Sequence, residues 1–511
     1  MGAVAIGVLL DARIQERWVL ESLKQALAVP GVKLTAVALA SANPRDSFAS
    51  RLHALIDRLD EQLRCPNERL FVATDVAAEL ALPLIDVEAA RQCEVDVWLC
   101  FTSVAPPRPL DWGSRLGVWG IEIGQGVPAA SAWAGAQEVG AGSAVTMVSV
   151  VDYAQPLDGV LYRSFGATVR SSARRNRLSC LRKAISFFRR LLARRSARPV
   201  TLAVPAEYPA LPAPTVRASV QLSSRPVSTV AANRLKSLRW LEQWQIAYHF
   251  ADADEAGCRP ERLRYLVPPT DHGWADPFAV EHQGRSFIFF EDMAERAPKG
   301  RIMALEVFED GEPGAPQLVL ERPYHLSYPF VFAWDGALYM LPETAQNGTL
   351  ELYRCEAFPL RWQLHKILLD DVRAFDATLW RQGDRWWMFV NIAEPGADST
   401  DELHLYSSTT PLGPWSAHRG NPVVSDVRCA RPAGPLFSRN GTLYRPSQDC
   451  SLAYGHSVVI NRVDVLGDDD YRETAVDRIT PGWRKDVVGV HTLGRSKRLR
   501  VIDYRVPRKR W

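Results

Sequence analysis

A hairpin-sized pattern returns along the second half of the chain at a spacing close to fifty residues. "WADPFAVEHQGRSFIFFED" starts at Trp274, and "SYPFVFAWDGALYMLPET", "FDATLWRQGDRWWMFVN" and "ARPAGPLFSRNGTLYRPSQD" follow it. Each has a short apolar run, a two-residue turn and a second apolar run. The turns are Gln283-Gly284, Asp335-Gly336, Gly383-Asp384 and Asn440-Gly441. Glycine-bearing two-residue turns between alternating runs are the strongest local hairpin signal. The blade-start residues Asp276, Tyr328, Asp376 and Arg431 lie 52, 48 and 55 residues apart. Repeats of that length built from hairpins predict a β-propeller. "VGVHTLGRSKRLRVIDYRV", with His491 early, is a weaker fifth copy. The strand-like "WLEQWQIAYHF" before the first copy is expected to pair with the last blade and close the ring.

The polar residues of each copy sit at the open end of its hairpin. In a propeller the first strand of a blade lines the axis, and the antiparallel second strand returns to the same end. One mouth of the channel is therefore expected to gather Asp276, Glu291, Asp292, His325, Glu343, Asp376, Asn391, Arg431, Arg445, Gln448, Asp449 and His491. Carboxylates crowded in one cleft repel one another and raise at least one pKa. That pairing of a neutral acid with an ionised base is what glycosidic bond cleavage requires. Trp274, Tyr324, Tyr328, Trp380 and Tyr454 surround these positions and suit stacking on sugar faces, whereas Trp386 and Trp387 are expected to pack the blades.

With 511 residues the chain is too long for one core. Residues 1–165 alternate strand and helix: "VAIGVLLD", "IQERWVLESLKQALAVPG", "KLTAVALAS", "VDVWLCFTS". This predicts an α/β domain with a largely parallel sheet. Residues 166–198 form a basic amphipathic helix, 199–232 a linker with six prolines, and 233–511 the propeller. From 159 to 206 there are twelve Lys or Arg and no acid. Leu178, Leu181, Ile185, Phe188 and Leu192 fall on one helical stripe. One reading packs that stripe on its own domain; the other lays 174–198 on an anionic membrane surface. Net charge is only +3, so no nucleic-acid partner is expected. The eight cysteines form no CxxC pair, so neither a metal nor another cofactor is expected. The start of the chain is not read as a signal peptide, and no apolar run approaches 18 residues. The expected location is cytoplasmic, with a peripheral membrane association if the helix engages one.

The motifs "WADPF", "FFED", "LSYPFVF", "LPET", "DATLW", "ARPAG", "YRPSQDCSLAYG" and "GVHT" resemble the five-bladed propeller region of plant glucosamine inositolphosphorylceramide transferases and their bacterial relatives. More remotely they resemble the arabinanase, levansucrase and invertase superfamily. That resemblance implies an Asp on blade one as base or nucleophile and an Asp on blade three that holds geometry, matched by Asp276 and Asp376. The acid implied at the start of blade four is replaced here by Arg431, and Glu343 is the expected substitute. Arg431, Arg445 and His491 would suit a phosphate. "VDVWLCFTS", "LGVWGIEIG", "GSAVTMVSVVD" and "PLDGVLYRS" resemble the formyltransferase domain that uses 10-formyltetrahydrofolate, a Rossmann-type fold. Trp119 and Ile121 stand where that family has Asn and His, and Asp158 is near its acid. The domain is therefore expected to bind or assemble rather than to transfer formyl groups.

The functional expectation is glycosyl transfer or glycosidic cleavage at the propeller mouth. Catalysis falls to Asp276, Glu343 and Asp376, and the substrate is a phosphate-bearing or lipid-linked sugar. The alternatives are a non-catalytic glycan-binding scaffold and a formyltransferase acting on an amino sugar.

Overall fold

The computed structural model describes residues 3–40, 57–58, 60–62, 64–110, 112–124, 126–156, 159–194, 238–251 and 260–509. The proline-rich stretch 199–232 and Asp158 lie outside them. The chain divides into two compact units, Met1–Arg234 with Pro395–Asp398, and Leu235–Glu394 with Ser399–Trp511. No described helix is long and apolar enough to cross a membrane.

The first unit is built on a seven-stranded sheet. Its strands, in spatial order, are Leu84–Asp86, Val32–Leu39, Val4–Leu10, Val97–Phe101, Val118–Ile123, Val145–Asp152 and Val160–Ala167. The first five run parallel, and Val145–Asp152 is antiparallel to both its neighbours. Trp119 and Ile121 are buried in this sheet, so that strand offers no proton carrier at either position.

The basic segment forms two helices, Ala173–Ala184 and Phe187–Arg194. Ser172 caps the first by accepting the Arg175 N–H. Leu178, Leu181, Ile185, Phe188 and Leu192 are all buried in the unit's own core beside Val4, Trp18 and Leu23. The stripe is thus used internally rather than held out to a membrane. Several arginines point inward as well. Arg177 reaches both Glu16 oxygens and the Ala129 carbonyl, and Arg174 reaches Glu16, Asp57 and Glu61 across the Phe71 ring.

The second unit is five four-stranded antiparallel sheets, a five-bladed propeller. The innermost strands are His272–His282, Ser327–Trp334, Ala374–Gln382, Phe437–Arg439 and Leu493–Arg495. Trp240–Phe250 pairs along its whole length with Leu499–Lys509, so the two ends of the unit share the fifth blade and close the ring. Closure removes the free edges that an open sheet would expose.

Strand alternation feeds the core. Successive side chains point to opposite faces, so each second strand supplies two blade junctions. Phe287 and Phe289 pack toward blade two, while Ile288 and Phe290 pack toward blade five. Trp386 lies between blades two and three, and its neighbour Trp387 between three and four. The turns form where the sequence places them. Gln283-Gly284, Asp335-Gly336 and Asn440-Gly441 have positive φ at both residues, as a type I′ turn requires. At the third turn Gly383 carries the positive φ.

Candidate functional site

The inner strands of blades one, two and three break register at one place. The pairing slips between Ala275 and Phe278, between Ser327 and Phe330, and between Phe375 and Thr378. Within each bulge the blade-start residue is left-handed: φ is 49° at Asp276, 48° at Tyr328 and 55° at Asp376. A bulge re-aims a side chain, and such backbone is uncommon for residues with a Cβ. Tyr328 shares the strain without carrying an acid, so the bulge is a device of the architecture. Tyr328 itself is fully buried: its hydroxyl accepts the Gly434 N–H at 2.7 Å and lies 2.8 Å from Thr378 Oγ1. Gly434, at φ 119°, passes so close to Leu493 that a Cβ would meet its carbonyl oxygen at 2.1 Å.

The second strands supply the other half. Glu291 pairs with Ala275, Glu343 with Ser327, and Asn391 with Phe375, so the three occupy equivalent places. The Gln448 N–H donates to the Arg431 carbonyl in blade four, and the Asp503 N–H to the Thr492 carbonyl in blade five.

Arg431 holds the centre of this cluster. Its Nε lies 2.5 Å from Asp376 Oδ2, and Nη2 donates to Asp376 Oδ1 at 3.2 Å and to Glu343 Oε2 at 3.3 Å. Nη1 donates to the Ser399 carbonyl, and the guanidinium carbon lies 5.3 Å from the Phe375 ring centroid and 5.2 Å from that of Tyr454. Gln448 Nε2 donates to Asp376 Oδ2 at 3.0 Å. Asp276 Oδ1 accepts the Thr492 hydroxyl at 2.6 Å and lies 3.4 Å from His491 Nε2. His325 Nδ1 accepts the Gly300 N–H, so in the neutral ring Nε2 carries the proton and points it at Glu291, 3.3 Å away.

Burial sets the protonation. Asp276, Glu291, Glu343 and Asp376 are all under a tenth exposed. Burial, only partly offset by His491, pushes Asp276 up from 3.8 to about 6. Burial raises Glu291 well above the ordinary range, with Asp276 and Glu343 adding to it. It raises Glu343 likewise, with Asp376 next and Arg431 opposing. Burial also lowers His325, with Arg431 contributing. Glu291 and Glu343 are thus held toward the protonated form beside Asp376, which is paired with Arg431.

Several expected members turn away. Asp292, one residue past Glu291, lies on the other face of its strand. It is bound by His272 Nδ1 at 2.7 Å, Trp274 Nε1 at 3.0 Å and Arg301 Nε at 3.0 Å. Asp449 follows Gln448 in the same way and is engaged by Arg478 and the Ser451 N–H. Arg445 is fully buried on Glu473 and the carbonyls of Cys429 and Ala430. With Arg431 and His491 also committed, none of the three groups expected to hold a phosphate has a free donor face. Both amide atoms of Asn391 are buried and without a partner. Trp274 is spent on Asp292 and Phe290, Tyr324 on Glu351 and Trp380 on the core beside Trp387; Tyr454, 41% exposed, lies against Arg431 and His491.

Asp503, Thr492 and Trp244 complete the cluster and were not singled out from sequence. Asp503 was legible in principle, as the polar end of the second strand in the fifth copy. Asp276, His491 and Asp503 each bring a donor atom within 4.8 Å of the others. These are the groups that could close round a cation, but they are already engaged with one another and with backbone N–H groups.

Comparison with known proteins places this half of the chain. Residues 269–497 match the family described as "Glucosamine inositolphosphorylceramide transferase 1, N-terminal". The protein of that name from rice (Oryza sativa subsp. japonica) is 36% identical over 218 residues, which is 41% of this chain and 29% of the relative. Its Arabidopsis thaliana counterpart is 34% identical over 205 residues, 40% of this chain and 27% of the relative. The chain thus spans under a third of the length of these relatives. Among solved structures, Zg3597, a family 117 glycoside hydrolase from the marine bacterium Zobellia galactanivorans, aligns with 52% of this chain and 90% of its own. Its TM-score is 0.34 and its identity 11%. An α-L-arabinanase of Cellvibrio cellulosa aligns with 39% and 77%, at TM-score 0.30 and 16% identity.

Proposed function

We propose that the protein is carbohydrate-active and that the propeller mouth carries out glycosyl transfer or glycosidic bond cleavage. The observation that carries the reading is the convergence of Glu343 and Asp376 on Arg431 in a buried cluster where burial raises the Glu343 pKa. Glu343, neutral and beside the ion pair, is the general acid. Asp276, ionised above about pH 6, is the base or nucleophile. Asp376 orients Arg431 and, through it, Glu343. A neutral acid beside an ionised base is the division of labour that glycosidic chemistry uses. The names of the matched plant proteins support a sugar on a glycolipid as the acceptor class. They belong to much longer chains, so the substrate here is proposed on the chemistry of the mouth. The substrate unit that enters is uncharged at the reacting centre, since the arginines there are already neutralised.

One observation favours binding without turnover: Arg431 sits on both Asp376 and Glu343 and restrains the acid. The two readings separate on Glu343→Gln and Asp276→Asn, assayed against aryl glycosides of graded leaving-group ability. A catalyst loses turnover in both variants, and in Glu343→Gln least for the best leaving groups, which need no proton. A binding protein shows altered affinity and no turnover in any form.

A further inference from the structure

The two oxygens of the Asp276 carboxylate have unlike surroundings. Oδ1 takes the Thr492 hydroxyl and faces His491 Nε2. No hydrogen-bond partner of Oδ2 is found among the described residues. Behind the imidazole, Nδ1 lies 2.6 Å from Asp503 Oδ2. Asp503 is fully buried and fixed by three backbone N–H groups, from Asp276, His491 and Thr492. The ring of His491 stacks on Trp244, with centroids 4.1 Å apart and planes at 29°, and Tyr454 closes on it at 5.4 Å. At Gly455 a Cβ would lie 2.7 Å from Trp244 and 3.0 Å from His491 Cβ. The imidazole is stacked on Trp244, edged by Tyr454 and ion-paired at Nδ1 with Asp503, a contact that lies off the line of the N–H.

We infer that Asp503 and His491 are positioning residues for Asp276: Trp244 sets the plane of the imidazole, the Asp503 carboxylate beside Nδ1 favours its protonated form, the imidazole and Thr492 hold Oδ1, and Oδ2 is left as the oxygen that meets the substrate. This rests on the reading of Asp276 as base or nucleophile. The charged groups facing His491 are Asp503, Asp276 and Asp376, with Arg505 beyond Trp244 and Arg431 beyond Tyr454. Burial opposes the imidazolium, but Asp503 and then Asp276 outweigh it, and the His491 pKa is raised. The protonated ring pairs with Asp503 through Nδ1, 2.6 Å away, and presents Nε2–H to Oδ1 at 3.4 Å. A carboxylate that burial alone would neutralise is thereby helped to stay ionised, with one oxygen free. A group that acts only through a second one in this manner changes catalysis by orientation.

The test uses the full chain labelled with 15N-histidine, the His491 ring signals being assigned by their loss in His491→Gln. They are followed between about pH 5 and about pH 9. The expected result is an imidazolium at neutral pH, whose pKa falls by about one unit or more in Asp503→Asn and falls also in Asp276→Asn. Asp503→Glu recovers part of the shift. On an aryl glycoside that the protein turns over, Asp503→Asn and His491→Gln lower kcat about tenfold or more with KM held. His491→Gln keeps an amide donor and covers the case in which Asp503→Asn fails to fold. A ring that titrates like a free histidine and ignores both carboxylates overturns the inference. So does movement of its signals on adding micromolar calcium or zinc, which would make the three groups a cation site. If Asp276→Asn keeps full turnover the proposed chemistry falls, while the His491 titration still decides the tether.

Discussion

Buried carboxylates occur in both units, and they are answered differently. In the first, Glu122 is 2.7 Å from Arg108, and Glu16 is held by Arg177 and Arg174. Burial pushes Glu16 up, but Arg177 and then Arg174 outweigh it, and its pKa is lowered. Glu122 stays raised, because burial exceeds what Arg108 returns. In the propeller mouth Asp276, Glu291, Glu343, Asp376 and Asp503 face Arg431 and His491, an excess of acids over cations. Burial of a single carboxylate beside an arginine is a structural staple. An excess in one place holds some groups toward the protonated form beside others that are ion-paired, the arrangement that general acid–base chemistry uses. On the proposed reading, the Glu16 pair is a staple and the propeller cluster is the site.

The largest effect expected is at the mouth. Asp276→Asn keeps shape and removes charge, so turnover should fall about 10²- to 10⁴-fold while the melting temperature holds. Glu343→Gln should be nearly as severe. A loss of folding in step with activity would make these residues staples too, and the contrast would collapse. Next comes Arg177→Met in the first unit, which leaves Glu16 with Arg174 as its ion-pair partner. The cost should fall below the about 3–5 kcal/mol of a fully buried pair, because the Glu16 side chain is 25% exposed. Calorimetry should show that loss with propeller turnover unchanged.

The pH dependence sharpens the comparison. Asp276 has its folded pKa raised to about 6, so turnover should climb as pH rises through about 6 and the base ionises. It should fall again at higher pH as Glu343 loses its proton, and the two limbs belong to the coupled set rather than to single residues. Stability follows the opposite course. Acids with raised folded pKa values favour the fold fully below their unfolded values, and that contribution is lost as pH rises through the folded ones. For Asp276 the window runs from about 4 to about 6. Glu16, with a lowered pKa, gains stability above its unfolded value and loses it only as pH falls. Melting curves across pH should therefore show the Asp276 and Glu16 contributions moving in opposite directions, with Glu122 of the first unit moving with Asp276. The smallest effect is expected at Asp292 and Asp449, whose change to Asn should cost a few degrees of melting temperature and leave turnover nearly intact.

The repeat made the propeller legible because each turn carries its own backbone signature, and the closing strand Trp240–Phe250 followed from the need to cover an edge. Which acids meet was harder. Glu291 and Asp292 are adjacent in sequence, and only the bulge that sets the register shows that the first points to the mouth and the second into the blade. Gln448 and Asp449 divide in the same way. Arg445 reads as a mouth cation, yet its partner Glu473 lies on an outer strand that no local pattern connects to it. The fifth copy lacks a glycine turn, so the place of Asp503 at the polar end of its second strand was marked only weakly. The basic helices offered two readings because an amphipathic stripe looks alike whether a core or a lipid covers it.

The central claim is that a sugar meets Asp276 and Glu343 together at one mouth. A crystal structure of the Asp276→Asn variant soaked with an oligosaccharide that the native protein turns over tests it most directly. The account predicts a glycosidic oxygen within hydrogen-bond reach of Glu343, with the amide atom that takes the place of Oδ2 turned to the anomeric carbon. A carboxyl separation of about 5–5.5 Å would mark retention and about 6.5–9.5 Å inversion. A sugar bound on the outer strands, or at the mouth with its glycosidic bond out of reach of both residues, would contradict it.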